Sequence, residues 1–280
     1  MTTAPDPRRP GAATEFAPRE LAVAYPTFPE LLPREEATAG RYRVRFARTV
    51  DELDQIQRLR FEVFNLELGE GLDSAFETGR DHDEIDPCFH HLLIAAGSPE
   101  EVVGTYRLQT AAMATTHRGF YSAAEFDLGG LPQEYLGEAV EVGRACVARE
   151  HRNGRVLNLL WRGLALYVRQ NHKRHLFGCC SLTSQDPALG RATLSFLERE
   201  GHLHPSLFAP PREGFGCDEA DPLEVARAQV HIPPLFQSYL TLGAKVISPP
   251  AIDRQFKTID FLVALDVGTL DEHRYRFFFR

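Results

Sequence analysis

The chain has 280 residues, 43% of them hydrophobic and 25% charged, which is typical of a globular protein large enough to bury a core. The formal net charge of −8 argues against the overall basic surface on which nucleic-acid binding depends, so we expect no nucleic-acid partner. Five cysteines without a CxxC spacing argue against a disulfide framework and predict a reduced, cytoplasmic protein.

The first 40 residues are rich in Pro, Ala and Glu and show no sustained period, so we predict a flexible or draped extension over 1–40. We expect neither a secretory signal nor a membrane span, because the sequence lacks an apolar h-region and any run of about 18 apolar residues. Regular structure is predicted to begin at 41–47, where Tyr42, Val44 and Phe46 alternate with arginines as in a strand.

A helix is predicted after this strand. Thr49 has the place of an N-cap, and Glu52 stands three residues later, which is the spacing of a capping box. Apolar residues then recur at helical spacing until Gly69. Arg60 and Phe64 lie one turn apart on this helix and face the same way.

The rest of the chain alternates predicted strands and helices. In chain order these are the strands HLLIAA, VVGTYRLQT and AVEVGRACVA, a helix from residue 152, the strand HLFGCCSLTS, the helices ALGRATLSFLERE and PPLFQSYLTL, and the final strand IDFLVALDV. The order predicts one mixed α/β domain over 41–280 with an insertion at about 186–232, which we expect to wall a slot or to act as a lid. The tail 274–280 is interpreted as a last strand with buried aromatics, or alternatively as a peripheral membrane contact.

The sequence motifs, taken in order, resemble a known family. They are QRLRFEVF, a DxxD pair at 83 and 86, VVGTYRL, FYSAAEFDL, EVGRACV, LLWRGLALY, LFGCCS and YLTLGAKV. Over about 41–267 they are similar to the acyl-carrier-protein-dependent branch of the GNAT superfamily. Nearest in pattern are ornithine-lipid N-acyltransferases, often labelled hemolysin-like, and long-chain N-acyl amino acid synthases; acyl-homoserine-lactone synthases are more distant. The resemblance implies a GNAT fold with a mixed central sheet flanked by helices.

The resemblance also implies roles for particular charged residues. A buried network that shapes the acceptor site and the acyl-donor face is implied for Arg60, Asp83, Asp86, Arg107, Glu141 and Arg144. Phe64 is expected to bind substrate, and Trp161, on an unusually apolar helix, is expected to line a tunnel for a long acyl chain. Leu68 to Glu70 lack the tryptophan of the homoserine-lactone synthases, which disfavours a lactone product.

The loop at 81–91 concentrates aspartates and histidines, and a metal site is one interpretation of it. The spacing matches neither zinc ligands nor a complete calcium loop, which would need a glycine and a closing glutamate. We therefore predict no metal. The resemblance instead makes Asp83 and Asp86 anions that pair with Arg60 or Arg107 and face a cationic acceptor.

Amide formation from an amine and a thioester needs a base, an oxyanion donor, a proton for the thiolate and an oriented acceptor. Glu141 lies in an apolar strand and suits the base, held ionised by Arg144 or Arg107; the alternative is a structural Glu–Arg pair. A main-chain N–H near Cys146 or Val147 is the expected oxyanion donor, and Cys146 itself is interpreted as structural. Tyr239, four residues before Gly243, resembles the GNAT thiolate proton donor; the alternative is a core tyrosine.

The segment 152–157 departs from the phosphate-binding pattern of acetyl-CoA users, because Arg155 and Leu157 stand at its two small-residue positions. We therefore expect acyl-phosphopantetheine on an acyl carrier protein as co-substrate, with acyl-CoA less favoured and no tightly bound cofactor. The predicted docking site for an acidic carrier comprises Arg149, Arg152, Asn153, Gly154 and Arg155. The alternative is a solvated helix face.

These observations predict a cytoplasmic N-acyltransferase that moves a long-chain acyl group, with or without a 3-hydroxyl, to the α-amine of an amino acid. Ornithine, neutral or aromatic amino acids and polyamines all stay open as acceptors. A signal synthase related to the homoserine-lactone enzymes is the first alternative. A non-catalytic module that binds carrier proteins or membranes is the second.

Overall fold

Nine strands form one sheet in the computed structural model, which describes residues 25–279. They are β1 (Ala37–Ala39), β2 (Tyr42–Phe46), β3 (His90–Ala96), β4 (Glu101–Thr110), β5 (Ala139–Val147), β6 (His175–Leu182), β7 (Lys245–Val246), β8 (Ala251–Asp253) and β9 (Thr258–Asp266). Their order is β1-β2-β3-β4-β5-β6-β9-β7, with β8 also on β9. The β5–β6 pair is parallel and the other pairs are antiparallel.

The helices pack around this sheet. They are α1 (Val50–Arg60), α2 (Ala75–Thr78), α3 (Ala111–Thr116), α4 (Gln133–Gly137), α5 (Gly154–Gln170), α6 (Pro187–Arg199), α7 (Pro222–Arg227), α8 (Pro234–Thr241) and α9 (Glu272–Phe279). The predicted capping box of Thr49 and Glu52 at the start of α1 is confirmed, and α1 continues as a π-helix over Phe61–Glu67. Within 25–279, none of the helices has the length and apolarity needed to cross a membrane.

Alternation of side chains gives the sheet two chemically different faces. One face, the α5 face, holds the main hydrophobic core, to which Val140 of β5 and Phe261 of β9 contribute. Glu141 and Asp260, their neighbours in the chain, point to the opposite face. The same two strands therefore supply apolar groups to one side and carboxylates to the other.

The parallel pair β5–β6 is short. Only Ala139–Glu141 pairs with His175–Phe177. The next residues, Val142 and Gly178, are in close backbone contact, since a Cβ added to Gly178 would overlap the Val142 carbonyl oxygen. A β-bulge then disturbs β5. Arg144 and Ala145 together oppose one residue of β4, and Arg144 has a left-handed φ of 49°. From this point β5 and β6 separate, and the main-chain groups between them have no ladder partner.

The predicted extension 1–40 is ordered in its last part. Ala37–Ala39 forms β1 and pairs with Tyr42–Val44 of β2, because the open edge of β2 offers unpaired backbone groups. Residues 1–24 lie outside the described part of the chain. Thr27 is also anchored: its carbonyl accepts a hydrogen bond from the buried His90 ring at 2.7 Å.

The prediction that the tail is a β-strand is wrong, since Glu272–Phe279 forms α9. Asp271 explains the helix: its side chain accepts the Arg274 N–H at 2.9 Å, as an N-cap does. Phe278 is buried against Trp161 of α5, with ring centroids 6.0 Å apart, whereas Phe277 is exposed.

Candidate active site

A cavity of about 570 Å³ occupies the gap where β5 and β6 separate, and it reaches both faces of the sheet. On the α5 face its walls include Leu160, Trp161, Leu164, Phe236, Tyr239 and Leu265. On the opposite face they include Arg107, Tyr121, Glu141, Arg144, Asp253 and Asp260. One cavity thus joins an apolar half to a charged half through the sheet.

Three arginines and three aspartates form a buried ionic network beside the charged half. Arg60, fully buried, donates from Nε to Asp81 at 2.8 Å and from both Nη atoms to Asp86 at 3.0 and 3.1 Å. Arg107 Nη1 donates to Asp83 at 2.6 Å and to Asp86 at 2.9 Å. Burial alone would raise the pKa of Asp86, but Arg60, His91 and Arg107 hold it well below its usual range. The predicted pairing of Asp83 and Asp86 with Arg60 or Arg107 is confirmed, since Asp83 pairs with Arg107 and Asp86 pairs with both arginines.

Arg144 is held more loosely in this network. Its Nε lies 3.5 Å from Asp81 and its Nη2 lies 3.7 Å from Asp83. Its Nη1 donates to the Tyr121 hydroxyl at 3.1 Å, and the guanidinium lies 4.0 Å from the Phe256 ring centroid. Within 25–279, Tyr121 is the only protein acceptor in hydrogen-bond geometry, so Arg144 keeps donors for an anion in the cavity.

Glu141 is surrounded by neutral donors. It accepts hydrogen bonds from Gln109 Nε2 at 2.5 Å, the Tyr121 N–H at 2.8 Å, and the N–H and hydroxyl of Ser122 at 2.7 and 2.6 Å. The expectation that Arg144 or Arg107 pairs with Glu141 is wrong: both arginines turn to the aspartates instead. Four donors fill the lone-pair directions of one carboxylate, so Glu141 ties the 119–122 loop to the sheet.

A group of buried carboxyls that was not predicted from the sequence lies at the far end of the charged half. It consists of Glu70, Glu125, Asp253 and Asp260, each less than a tenth exposed. Burial, then Asp260 and Asp253, raise the pKa of Glu125 to about 10. Burial also raises the pKa of Asp260. The sequence offers only a weak signal: Glu125 and Asp260 lie in the largely apolar strings FYSAAEFDL and IDFLVALDV, each of which contains one further acid.

Two of these acids, with a cysteine, have the spacing of metal ligands. Single ligand atoms of Glu125, Cys179 and Asp260 lie within 4.8 Å of one another. A metal needs deprotonated ligands, yet burial raises the pKa of the Cys179 thiol well above its usual value. The residues predicted as possible ligands in the 81–91 loop lie elsewhere: Asp81 and Asp83 are in the ionic network, and His90 contacts the Tyr167 hydroxyl.

The apolar half is walled by α5 and α8. The rings of Trp161 and Tyr239 meet edge to face with centroids 5.3 Å apart. Burial raises the pKa of the Tyr239 phenol, so the phenol keeps its proton at neutral pH. The expectation that the insertion 186–232 walls the slot is wrong for the described chain, because the cavity lining resumes at Pro233, after it. Leu207 and Phe215 of the insertion pack on a separate hydrophobic cluster.

The start of α5 carries the residues predicted to meet the carrier protein. The Asn153 side chain accepts the N–H groups of Arg155 and Val156 at 3.1 and 3.2 Å, so these amides have a partner within the chain. Arg152 forms a bidentate salt bridge with Glu67, in which both Nη atoms donate to the carboxylate oxygens at 2.7 Å. Arg149, Gly154 and Arg155 are exposed and lie outside the cavity lining.

The structure therefore brings together most of the predicted site. The cavity is lined by Phe64, Arg107, Glu141, Arg144, Arg152, Asn153, Trp161 and Tyr239. Arg60, Asp83 and Asp86 support it from the ionic network. Cys146 lines the cavity as well, but burial raises the pKa of its thiol to about 12. That value argues against a nucleophilic thiolate.

Residues 59–162 match a family model described as an acetyltransferase (GNAT) domain. An L-ornithine N(alpha)-acyltransferase of Agrobacterium fabrum is 34% identical over 246 residues, 82% of this chain and 83% of the relative. Another, of Rhodobacter capsulatus, is 35% identical over 249 residues, 85% of this chain and 95% of the relative. The solved structure of FeeM, an N-acyl amino acid synthase from uncultured soil microbes, is similar with a TM-score of 0.50 at 13% identity, covering 82% and 94% of the two chains.

The FeeM likeness concerns the fold, and it agrees with the predicted mixed sheet flanked by helices. The assignment to a family rests on the two L-ornithine N(alpha)-acyltransferases, since each is more than 30% identical to this chain and is covered over most of its length. The predicted GNAT fold and acyltransferase activity are confirmed. The chain belongs to the family of L-ornithine N(alpha)-acyltransferases.

Proposed function

We propose that this protein transfers a long-chain fatty acyl group from an acyl carrier protein to the α-amine of L-ornithine and forms N-acylornithine. The observation that carries the proposal is the single cavity with an apolar half and a charged half. A fatty chain gains about 0.8 kcal/mol for each methylene group that it buries, which suits the half lined by Leu160 and Trp161. We infer L-ornithine as the acceptor from the names of the two relatives, both of which are L-ornithine N(alpha)-acyltransferases.

Arg144 is the proposed partner of the acceptor carboxylate. It lines the charged half and has donors to spare, whereas each of the three guanidinium nitrogens of Arg60 already donates to Asp81 or Asp86. A guanidinium binds a carboxylate through two parallel hydrogen bonds. The left-handed backbone of Arg144 in the bulge directs this side chain, and such strained conformations cluster at functional sites.

In the proposed reaction the thioester of the acyl donor lies in the cavity where β5 and β6 separate. The α-ammonium first loses a proton to water, and the free amine attacks the thioester carbonyl carbon. The C–N bond forms and the C–S bond breaks, while main-chain N–H groups of β5 between Arg144 and Val147 stabilise the oxyanion. Tyr239 donates its proton to the leaving thiolate and regains one as the nitrogen loses its second proton.

Glu141 is proposed here as a positioning residue. Its four neutral donors include the main chain of Tyr121, the residue that also meets Arg144. These donors occupy both oxygens of the carboxylate and fix the loop that borders the acceptor. The pH dependence of the Glu141→Gln variant separates this role from the base role predicted from the sequence.

Two observations support a carrier protein as the acyl donor. Asn153 caps the first amides of α5, where acetyl-CoA users bind a pyrophosphate, so this helix start has less need of an anion. Arg149 and Arg155 remain exposed beside the cavity lining on an otherwise acidic chain. Such a patch is complementary to an acidic carrier.

We also propose a reducing, cytoplasmic compartment with peripheral contact to membranes. The five cysteines are free thiols, as expected where disulfides are not maintained. Phe277 of α9 is 46% exposed and follows Arg276, a combination that suits the interface of an anionic bilayer.

The proposal is tested by mass spectrometry of lipid extracts from cells that express the protein, against an empty-vector control. An ornithine amide with a long acyl chain is expected. A new amide on a different amino acid would contradict the acceptor, and no new amide in ornithine-supplemented medium would contradict the proposed reaction.

A further inference from the structure

The far end of the charged half contains more acid than the protein itself balances. Asp253, Asp260 and Glu70 line the cavity, and Glu125 lies behind Asp260. None of the ion pairs formed within 25–279 involves any of these four acids. The nearby arginines of the network are already matched by three aspartates. This group, which we call the acid pocket, therefore lacks a cation.

Hydrogen bonding within the acid pocket is also incomplete. Asp260 is 5% exposed and Glu125 is 3% exposed, yet Asp260 Oδ1 and Glu125 Oε2 have no donor in the described chain. Glu70, by contrast, accepts a hydrogen bond from the Thr183 hydroxyl, and Asp253 Oδ1 accepts the N–H groups of Gln255 and Phe256 at 2.8 Å. Buried polar atoms normally have partners, so the free oxygen of Asp260 in the cavity wall points to a ligand.

We propose that Asp253 and Asp260, supported by Glu125, bind the side-chain ammonium of a diamino acid acceptor and so select it over neutral amino acids. The inference rests on the proposed function, because it assumes that an amino acid occupies the charged half. It adds the group that is recognised and the residues that recognise it. An ammonium supplies both the missing charge and the missing donors.

The arrangement also accounts for the choice of nitrogen. With the carboxylate on Arg144 and the side-chain ammonium in the acid pocket, the α-amine lies between these anchors, on the side of the β5–β6 gap. The paired side-chain ammonium keeps its proton and has no lone pair with which to attack. Two charged anchors thus orient a diamino acid for acylation at one nitrogen only.

A divalent metal is the competing occupant of the acid pocket, and the ligand chemistry favours the ammonium. The third ligand would be Cys179, and burial keeps its thiol protonated. Glu125 also keeps its proton at neutral pH, with a pKa raised to about 10. A metal would have to displace this proton, whereas an ammonium would not.

The test compares two acceptors that differ in one group: ornithine, and 2-aminopentanoate, which has the same carbon skeleton without the terminal ammonium. With saturating long-chain acyl carrier protein, wild-type protein is expected to prefer ornithine in kcat/KM by about 30-fold or more. Asp260→Asn, nearly isosteric, is expected to raise the ornithine KM by a similar factor, with kcat and the 2-aminopentanoate rate within a few-fold. Asp218→Asn, at an exposed surface acid, is the matched control and should change neither.

The outcomes separate the two proposals. Equal wild-type use of both acceptors would overturn the acid pocket as the selective group and leave N-acyl transfer standing, whereas no amide from either acceptor would overturn the proposed function. One equivalent of tightly bound zinc in wild-type protein, absent from Asp260→Asn, would assign the pocket to a metal. If Asp260→Asn fails to fold, the wild-type comparison and Asp253→Asn decide the question.

Discussion

Glu125 is a buried carboxyl whose protonation differs between the folded and unfolded chain. Burial, then the neighbouring Asp260 and Asp253, raise its pKa to about 10 in the folded protein, whereas an unfolded glutamate titrates near pH 4.3. Because the folded pKa is raised, the folded state loses stability relative to the unfolded state as the pH rises above about 4.5. At about pH 7 the loss amounts to about 4 kcal/mol, because each pH unit above the unfolded pKa contributes about 1.4 kcal/mol.

Glu125→Gln should therefore stabilise the protein in a pH-dependent way. The amide imitates the protonated acid without the ionisation that favours unfolding. We expect the free energy of unfolding at about pH 8 to rise by up to about 5 kcal/mol, and the difference to shrink towards about pH 4.5. Urea unfolding across this range measures it, with the exposed Glu77→Gln as control. A difference that does not depend on pH would contradict the assignment.

Glu141→Gln tests whether this residue positions the loop or accepts a proton. The variant replaces one acceptor oxygen by an NH₂ group, which opposes the donors of Gln109, Tyr121 and Ser122. We expect kcat to fall about 100-fold or more, since small displacements at a reacting centre cost that much. The pH–rate profile of the residual activity should keep its shape. Loss of the acidic limb of the profile would show instead that Glu141 is the base.

At the scale of elements, the contact of β5 with β6 sets the opening of the cavity. Gly178→Ala would place a methyl group against the Val142 carbonyl oxygen. Because the contact is with the backbone, β5 and β6 would have to move apart to relieve the overlap. We expect a loss of about 1–3 kcal/mol in stability and a larger loss of activity with long acyl chains. Gly137→Ala, in α4 with open space around it, is the control. Wild-type stability and activity of Gly178→Ala would contradict the described junction.

The sequence predicts elements well where local chemistry decides them. The capping box at Thr49 and the apolar period of α5 depend on near neighbours, and both were predicted correctly. The tail was misread because RYRFFF alternates like a strand, while the side chain of Asp271 caps a helix. The bulge at Arg144 could not be predicted, because it is defined by the register of β4 against β5.

At the scale of the whole molecule, the site combines segments far apart in the chain. The charged residues of β4, β5 and the 81–86 loop could be predicted together because their motifs resemble a family as a set. The acid pocket could not, since it joins Glu70, Glu125 and Asp260, and no local pattern shows that these three segments meet. Tertiary contacts therefore supplied the part of the site that bears on the acceptor.

The carrier surface makes a prediction about the intact complex. Reversing the charge of Arg149 and Arg155 together should raise the KM for acyl carrier protein about tenfold or more, and the effect should fade at high salt, as for exposed charges. The KM for a free acyl-pantetheine thioester should not change, because these side chains lie outside the cavity lining. Arg199→Glu, on the exposed end of α6, is the control. Equal effects on both donors would contradict carrier docking at this surface.

The most direct measurement uses ornithine labelled with ¹⁵N at the α-amine, purified protein and long-chain acyl carrier protein. Fragmentation of the product by mass spectrometry locates the amide. We expect one N-acylornithine with the acyl group on the labelled nitrogen and the free carrier thiol in equal amount. Acylation of the side-chain nitrogen, or carrier thiol released without an amide, would contradict this expectation.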